Sequence, residues 1–222
     1  MGGPRLLVHA TFGVELVYAL LLATLCFVIF WKTKELYRLS NHQGIGYFRL
    51  AFLFFGVAFG LRILIPLSTS MLGIWPGTIR EVTSITIIFT GTVAVLYVLF
   101  SVIWKRLKMS PAGQHGLVIL FALLISAATF LPTMRVFLFG LQIVIFTAAT
   151  IISLLDHRRL PRKKQKGSWY LLYLMLFFSW LANLLAHFTL RISQGITYGL
   201  YVISAGLFVM ILVRVFQRTK KH

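Results

Sequence analysis

Apolar residues along the chain gather into seven runs, near 10–31, 47–67, 82–104, 115–132, 135–155, 168–190 and 195–216, separated by short polar stretches. A run of about twenty residues crosses roughly 30 Å of hydrocarbon at about 1.5 Å per residue. The pattern predicts an all-α membrane protein of seven transmembrane helices, forming one domain over residues 1–222. Only Leu131-Pro132-Thr133-Met134-Arg135 separates the fourth and fifth runs, where the Pro and Arg predict a tight helical hairpin. The first run is too long for a signal-peptide core and has no basic n-region or clear cleavage site, so it is expected to be a retained span.

Polar residues inside a span turn toward protein or a wet cavity rather than lipid. They form stripes at helical spacing: Thr83, Thr86, Thr90, Tyr97 and Ser101 in the third run; Arg135, Gln142 and Asp156 in the fifth; Ser179, Asn183, His187 and Arg191 in the sixth; Gln194, Thr197, Tyr201 and Ser204 in the seventh. The fourth run, with Ser126 and Thr129 as its polar residues, is expected to be a lipid-facing connector in a 3+1+3 arrangement of spans. Gly56-x-x-x-Gly60 and Gly195-x-x-x-Gly199 permit close approach of helices, with packing inside the bundle as the expected use of both.

Charge sets the orientation. The segment His157-Arg158-Arg159-Leu160-Pro161-Arg162-Lys163-Lys164-Gln165-Lys166-Gly167 carries six basic residues between two apolar runs. Lys and Arg beside a span prefer the cytoplasmic side. With the N-terminus outside, seventeen of the twenty-two Lys and Arg fall on the cytoplasmic side, and only Arg5, Arg62, Arg80, Arg135 and Arg191 remain opposite. The expected localisation is the cell membrane, multi-pass, N-terminus outside and C-terminus cytoplasmic.

Composition narrows the class. The chain is 59% hydrophobic with four acidic residues, Glu15, Glu35, Glu81 and Asp156, and a net charge of +18. A soluble domain carries roughly a quarter charged residues, so the bilayer is the expected solvent. The basic residues sit in short loops rather than in a basic, aromatic-studded domain, which points to anionic lipid on the cytoplasmic face and not to nucleic acid. Cys26 stands alone in the sequence, so no intrachain disulfide can form.

Charge at membrane depth costs at least about 2.5–3.5 kcal/mol unless paired or wet. Glu15 and Arg62 each lie about five residues inside the outer end of their spans, so a pair is expected. Pro66 removes the helical partner of the Arg62 carbonyl and is expected to open the second span there. Arg135, His187 and Arg191 reach the same level from other spans. An outward-facing, ligand-binding cavity is therefore expected between Glu15, Arg62, Arg135, Asn183, His187 and Arg191. Converging cations there suit a small anionic or polar ligand.

The segment Leu39-Ser40-Asn41-His42-Gln43-Gly44-Ile45-Gly46-Tyr47-Phe48-Arg49-Leu50-Ala51-Phe52-Leu53-Phe54-Phe55-Gly56, continuing to Arg62, resembles uncharacterised prokaryotic heptahelical membrane proteins. It also looks like the seven-span input segments of sensor histidine kinases. With no kinase sequence after His222, the resemblance implies a sensing or binding module whose output passes through a cytoplasmic or membrane partner protein.

Other seven-span chemistries do not fit. No Lys lies between Lys166 and Lys220 to form a retinal Schiff base, and no Asp-Arg-Tyr or Asn-Pro-x-x-Tyr motif or Pro-Gln pair occurs. His187 has no companion ligands for zinc or haem, and Ser179 and His187 have no acid beside them, so neither an enzyme, a metal site nor a cofactor is expected. The expected function is a receptor-like or sensory binding module with an outer polar pocket. A small-solute transporter or channel, and a structural subunit of a membrane complex, are the alternatives.

Overall fold

The computed structural model describes residues 3–72, 76–107, 109–128, 134–159, 169–189 and 193–219, and among these the regular structure is entirely helical. Seven α-helices follow in chain order: α1 Gly3–Ser40, α2 Gln43–Leu72, α3 Pro76–Ile103, α4 Pro111–Ala127, α5 Met134–Arg158, α6 Tyr170–Thr189 and α7 Gln194–Thr219. A short 3-10 turn, Trp104–Arg106, follows α3. Each apolar run of the sequence has become one helix. Five of them, α1, α2, α3, α5 and α7, contain stretches long and apolar enough to cross a membrane. Helix α4 has 17 residues and reaches only about 26 Å, while the apolar part of α6 is similarly short.

Local chemistry explains the ends. Helix α1 stops at Asn41, whose φ of 46° is left-handed and whose N–H donates to the Tyr37 carbonyl at 2.9 Å. Asn tolerates that conformation better than most side chains, and the two-residue turn Asn41-His42 reverses the chain directly into α2. Helix α4 starts at Ser110, whose hydroxyl accepts from the Gly113 N–H, with Pro111 in the first turn where a missing N–H costs nothing. Pro66 does not interrupt α2, which continues to Leu72; the expected opening is a lost hydrogen bond rather than a break.

The helices pack in the order α1, α2, α3, α5, α6, α7 and back to α1, with α4 held against the outside of α3. Its Ile119, Leu120, Phe121, Leu123 and Leu124 are exposed, as a lipid-facing helix requires. The fourth run is nevertheless more than a connector. Tyr47 of α2 donates to Gln114 Oε1 at 2.7 Å, and the Tyr97 hydroxyl of α3 lies 3.0 Å from His115 Nδ1. These two bonds anchor the start of α4.

The middle is filled by one face of α2. Phe48, Phe52, Phe55 and Phe59 follow helical spacing and point across the bundle: Phe48 meets Tyr173 of α6, Phe52 and Phe59 meet Phe208 of α7, and Phe55 stacks on Phe146 of α5. Phe48 and Phe52 are almost fully buried. Close approach of α1 to α2 depends on Gly56, where an added Cβ would lie 3.3 Å from Cys26 and Phe27. Gly60 and Gly199 face open space, and a Cβ on Gly195 would meet only Ser193 Oγ at 4.0 Å, so among the described residues the second glycine pair makes no close helix approach.

Candidate functional site

The polar stripes of α6 and α7 meet Tyr18 and Glu15 of α1, with Arg62 of α2 beside them. Arg62 Nη2 lies 3.5 Å from Glu15 Oε1, with the side chains 29% and 37% exposed. The same carboxylate oxygen accepts from the Tyr201 hydroxyl at 3.3 Å. Tyr201 stacks on Tyr18, ring centroids 4.1 Å apart. Tyr18 then donates to Asn183 Oδ1 at 2.7 Å. Asn183 Nδ2 donates to Ser204 Oγ at 2.7 Å and to the Ser179 carbonyl at 3.1 Å, and the Ser179 and Ser204 hydroxyls lie 2.8 Å apart.

Helical spacing produces this chain of contacts. Glu15 and Tyr18 are three residues apart on α1, Ser179 and Asn183 four apart on α6, and Tyr201 and Ser204 three apart on α7. Each pair therefore projects from one face. Ser179 and Ser204 are fully buried, where an unpaired hydroxyl would cost about 1–3 kcal/mol, so their mutual bonding closes the α6–α7 contact.

At the Glu15 end the arrangement is looser. A separation of 3.5 Å is long for an N–H···O bond, typically about 2.7–3.2 Å, and the guanidinium has five donors of which one is directed at Glu15. The inner part of the network is closely hydrogen-bonded, while among the described residues the Arg62 guanidinium has one acceptor, Glu15.

Of the six residues expected to bound an outer pocket, three have described side chains. Glu15 and Arg62 are brought together, and Asn183 joins them through Tyr18 and Tyr201. The side chains of Arg135 and His187 lie outside the described residues, as does Arg191. Of the other stripe members, Thr90, Tyr97, Ser101, Gln142, Ser179, Thr197, Tyr201 and Ser204 are buried as expected. Gln194 is exposed at the start of α7 and is not an interior residue. Gln142 Nε2 donates to Thr92 Oγ1 at 3.0 Å, closing the α3–α5 contact.

Tyr18 is the member missing from the sequence-based set. Its signal was its position one turn after Glu15 on an otherwise apolar helix. At the opposite end, a cavity of about 300 Å³ lies between the ends of α2, α3, α5 and α6, lined among others by His42, Trp104, Lys105, His157 and Trp169. Among the described residues no group of three or more His, Cys, Asp or Glu is placed to hold a metal ion.

The chain is similar to an uncharacterized protein of Archaeoglobus fulgidus, 28% identical over 232 residues that cover 97% of this chain and 96% of the relative. No family model matches the chain, and no solved structure matches it.

Proposed function

We propose that this is a multi-pass cell-membrane protein acting as a receptor-like binding module, which takes a small anionic or polar group at Arg62 and passes its output to a partner protein. The carrying observation is the shared acceptor: Glu15 Oε1 faces both Arg62 and Tyr201. An anion that draws the guanidinium away removes the counter-charge of Glu15, and the carboxylate then leans more heavily on Tyr201. That bond joins α1 to α7, so ligand occupancy biases how these two helices pack. Orientation follows the basic asymmetry, with Glu15 and Arg62 outside and the basic loops cytoplasmic.

The phenylalanine face of α2 favours this reading over a transporter or channel. It fills the middle of the bundle with apolar side chains, whereas a transport path needs polar or wet lining across that depth.

The test uses purified full-length protein in neutral detergent, with thermal unfolding followed against a panel of small carboxylates at constant ionic strength. A binding module gains stability with an anion that fits, and Arg62→Gln removes the gain. If no anion shifts the wild type, or Arg62→Gln responds like the wild type, the module is not a receptor at this site and the structural-subunit reading replaces it.

A further inference from the structure

The cavity at the Trp104 and Trp169 end lies apart from the Glu15–Arg62 network and has its own chemistry. Four stretches distant in sequence meet there: the first turn of α2, the end of α3 with its 3-10 turn, the last turns of α5 and the first turns of α6. We propose that this cavity is a binding site for a phosphate group, held by Lys105, His157 and the N-terminal turn of α2.

Four observations carry the assignment. The His157 Nδ1 is buried and has no hydrogen-bond partner, although its ring is held by stacking on Tyr170 at 4.1 Å between centroids. A buried polar atom left unpaired is costly, and a small turn of the ring would offer it to a ligand oxygen in the cavity that His157 lines. Lys105 contributes a formal positive charge to the same wall. The acid in the wall is already neutralised, because Arg106 Nη2 lies 2.8 Å from Asp156 Oδ1.

The fourth observation is the glycine at position 44. A Cβ there would come within 2.8 Å of both the Ser101 carbonyl and Trp104 Nε1. Glycine thus lets the start of α2 pack closely on the end of α3, where Gly44 and Ile45 line the cavity, and a helix N-terminus presents N–H groups and the positive end of its dipole. A cation, a stacked imidazole and a helix start line one space, with the rings of Trp104, Trp169, Tyr170 and Tyr173 among the remaining walls. Rings of this kind favour the headgroup level of a bilayer, so the phosphate can arrive on a lipid headgroup or as a free ester.

Full-length protein in neutral detergent is titrated with inorganic phosphate against chloride at equal ionic strength. In a second arm it is reconstituted in phosphatidylcholine nanodiscs with or without phosphatidylglycerol, and retained lipid is counted by native mass spectrometry. Thermal midpoints are read in both arms. The expected result is a rise in midpoint with phosphate, with phosphatidylglycerol, or with both; a response to the lipid alone identifies the headgroup as the source. Lys105→Gln combined with His157→Phe, which keeps an aromatic ring on Tyr170, should weaken binding by about tenfold or more. Arg106→Gln is the independent check, since it frees the Asp156 charge at the cavity wall and should also weaken binding several-fold. Repeating both arms in an Arg62→Gln background removes the Glu15-end site, so a response that persists there comes from this cavity. Binding by the two cavity variants at wild-type strength, or no response of the wild type in either arm, overturns the assignment.

Discussion

Tyr18 and Tyr201 lie face to face, ring centroids 4.1 Å apart and planes 19° from parallel, yet their hydroxyls serve different partners: Tyr18 donates to Asn183 on α6, Tyr201 to Glu15 on α1. One stacked pair thus joins a closely hydrogen-bonded amide network to an ion pair. Removing the Tyr201 hydroxyl should loosen the ion pair without touching Asn183. Tyr201→Phe is expected to lose about 1 kcal/mol of stability in thermal or denaturant unfolding. A loss as large as that of Asn183→Leu would show that the two halves are not separable.

Asn183 makes three hydrogen bonds, and replacing it strands the Tyr18 hydroxyl and weakens the hold on Ser204. Asn183→Leu should cost about 1–3 kcal/mol. Adding Tyr18→Phe should recover part of that loss, because the stranded donor is removed with its partner. An additive double variant would mean that the Tyr18–Asn183 bond contributes nothing to folding.

Glu15 and Arg62 form a partly exposed pair, so their coupling should be modest. A double-mutant cycle with Glu15→Gln and Arg62→Gln is expected to give about 1 kcal/mol, measured as the shortfall from additivity. Zero coupling would leave each charge interacting with lipid or solvent alone.

Gly44→Ala tests the packing of the α2 start against Trp104. The added Cβ meets a backbone oxygen at 2.8 Å, which cannot swing away as a side chain can. The expected cost is about 1–3 kcal/mol, read from unfolding midpoints, whereas alanine at Gly60, which faces open space, should be neutral or slightly stabilising.

His42 gives a pH dependence. Burial first, and then the charge of Lys105, hold its pKa below the ordinary 6.5. Asp156 and His157 from α5 also line the cavity beside it, with the Asp156 charge taken by Arg106. The folded chain therefore takes up this proton less readily than the unfolded one. Stability from this residue is complete above the ordinary pKa and falls as pH drops below it. Unfolding midpoints should decline more steeply in the wild type than in His42→Gln between about pH 7 and about pH 5.5.

Orientation is tested by labelling. In a Cys26→Ala background, a cysteine placed at Gly167 should react only from the cytoplasm and one at Gly73 only from outside. Labelling of both from the same side would contradict a seven-span path.

The helices were legible because hydrophobic length is a local property: twenty apolar residues in a row read as one element wherever they later pack. The Glu15–Arg62 contact was legible for a related reason, since equal depth in neighbouring spans brings side chains level. Gln114 and His115 were not, because they stand at the very start of an apolar run, where polar residues look like loop. Nor was the column Phe48, Phe52, Phe55 and Phe59, since the chain holds twenty phenylalanines and periodicity cannot say which face the centre. Gln194 shows the converse error, a polar residue at stripe spacing that lies at a helix start and meets solvent. The cavity was invisible because it is built from four helix ends far apart in the chain.

That column also has an electrical meaning. From Phe48 to Phe59 the face spans roughly 16 Å of helix, and closely packed aromatic hydrocarbon polarises little. In a bilayer, such a layer insulates, so the transmembrane voltage falls mainly across it. A charge crossing the full potential gains about 2.3 kcal/mol per 100 mV, but the described charges of the two networks, Glu15 and Arg62 at one end and Lys105, Arg106 and Asp156 at the other, stand beyond the layer and cross little of it. A change in membrane voltage therefore does little work on these five charges.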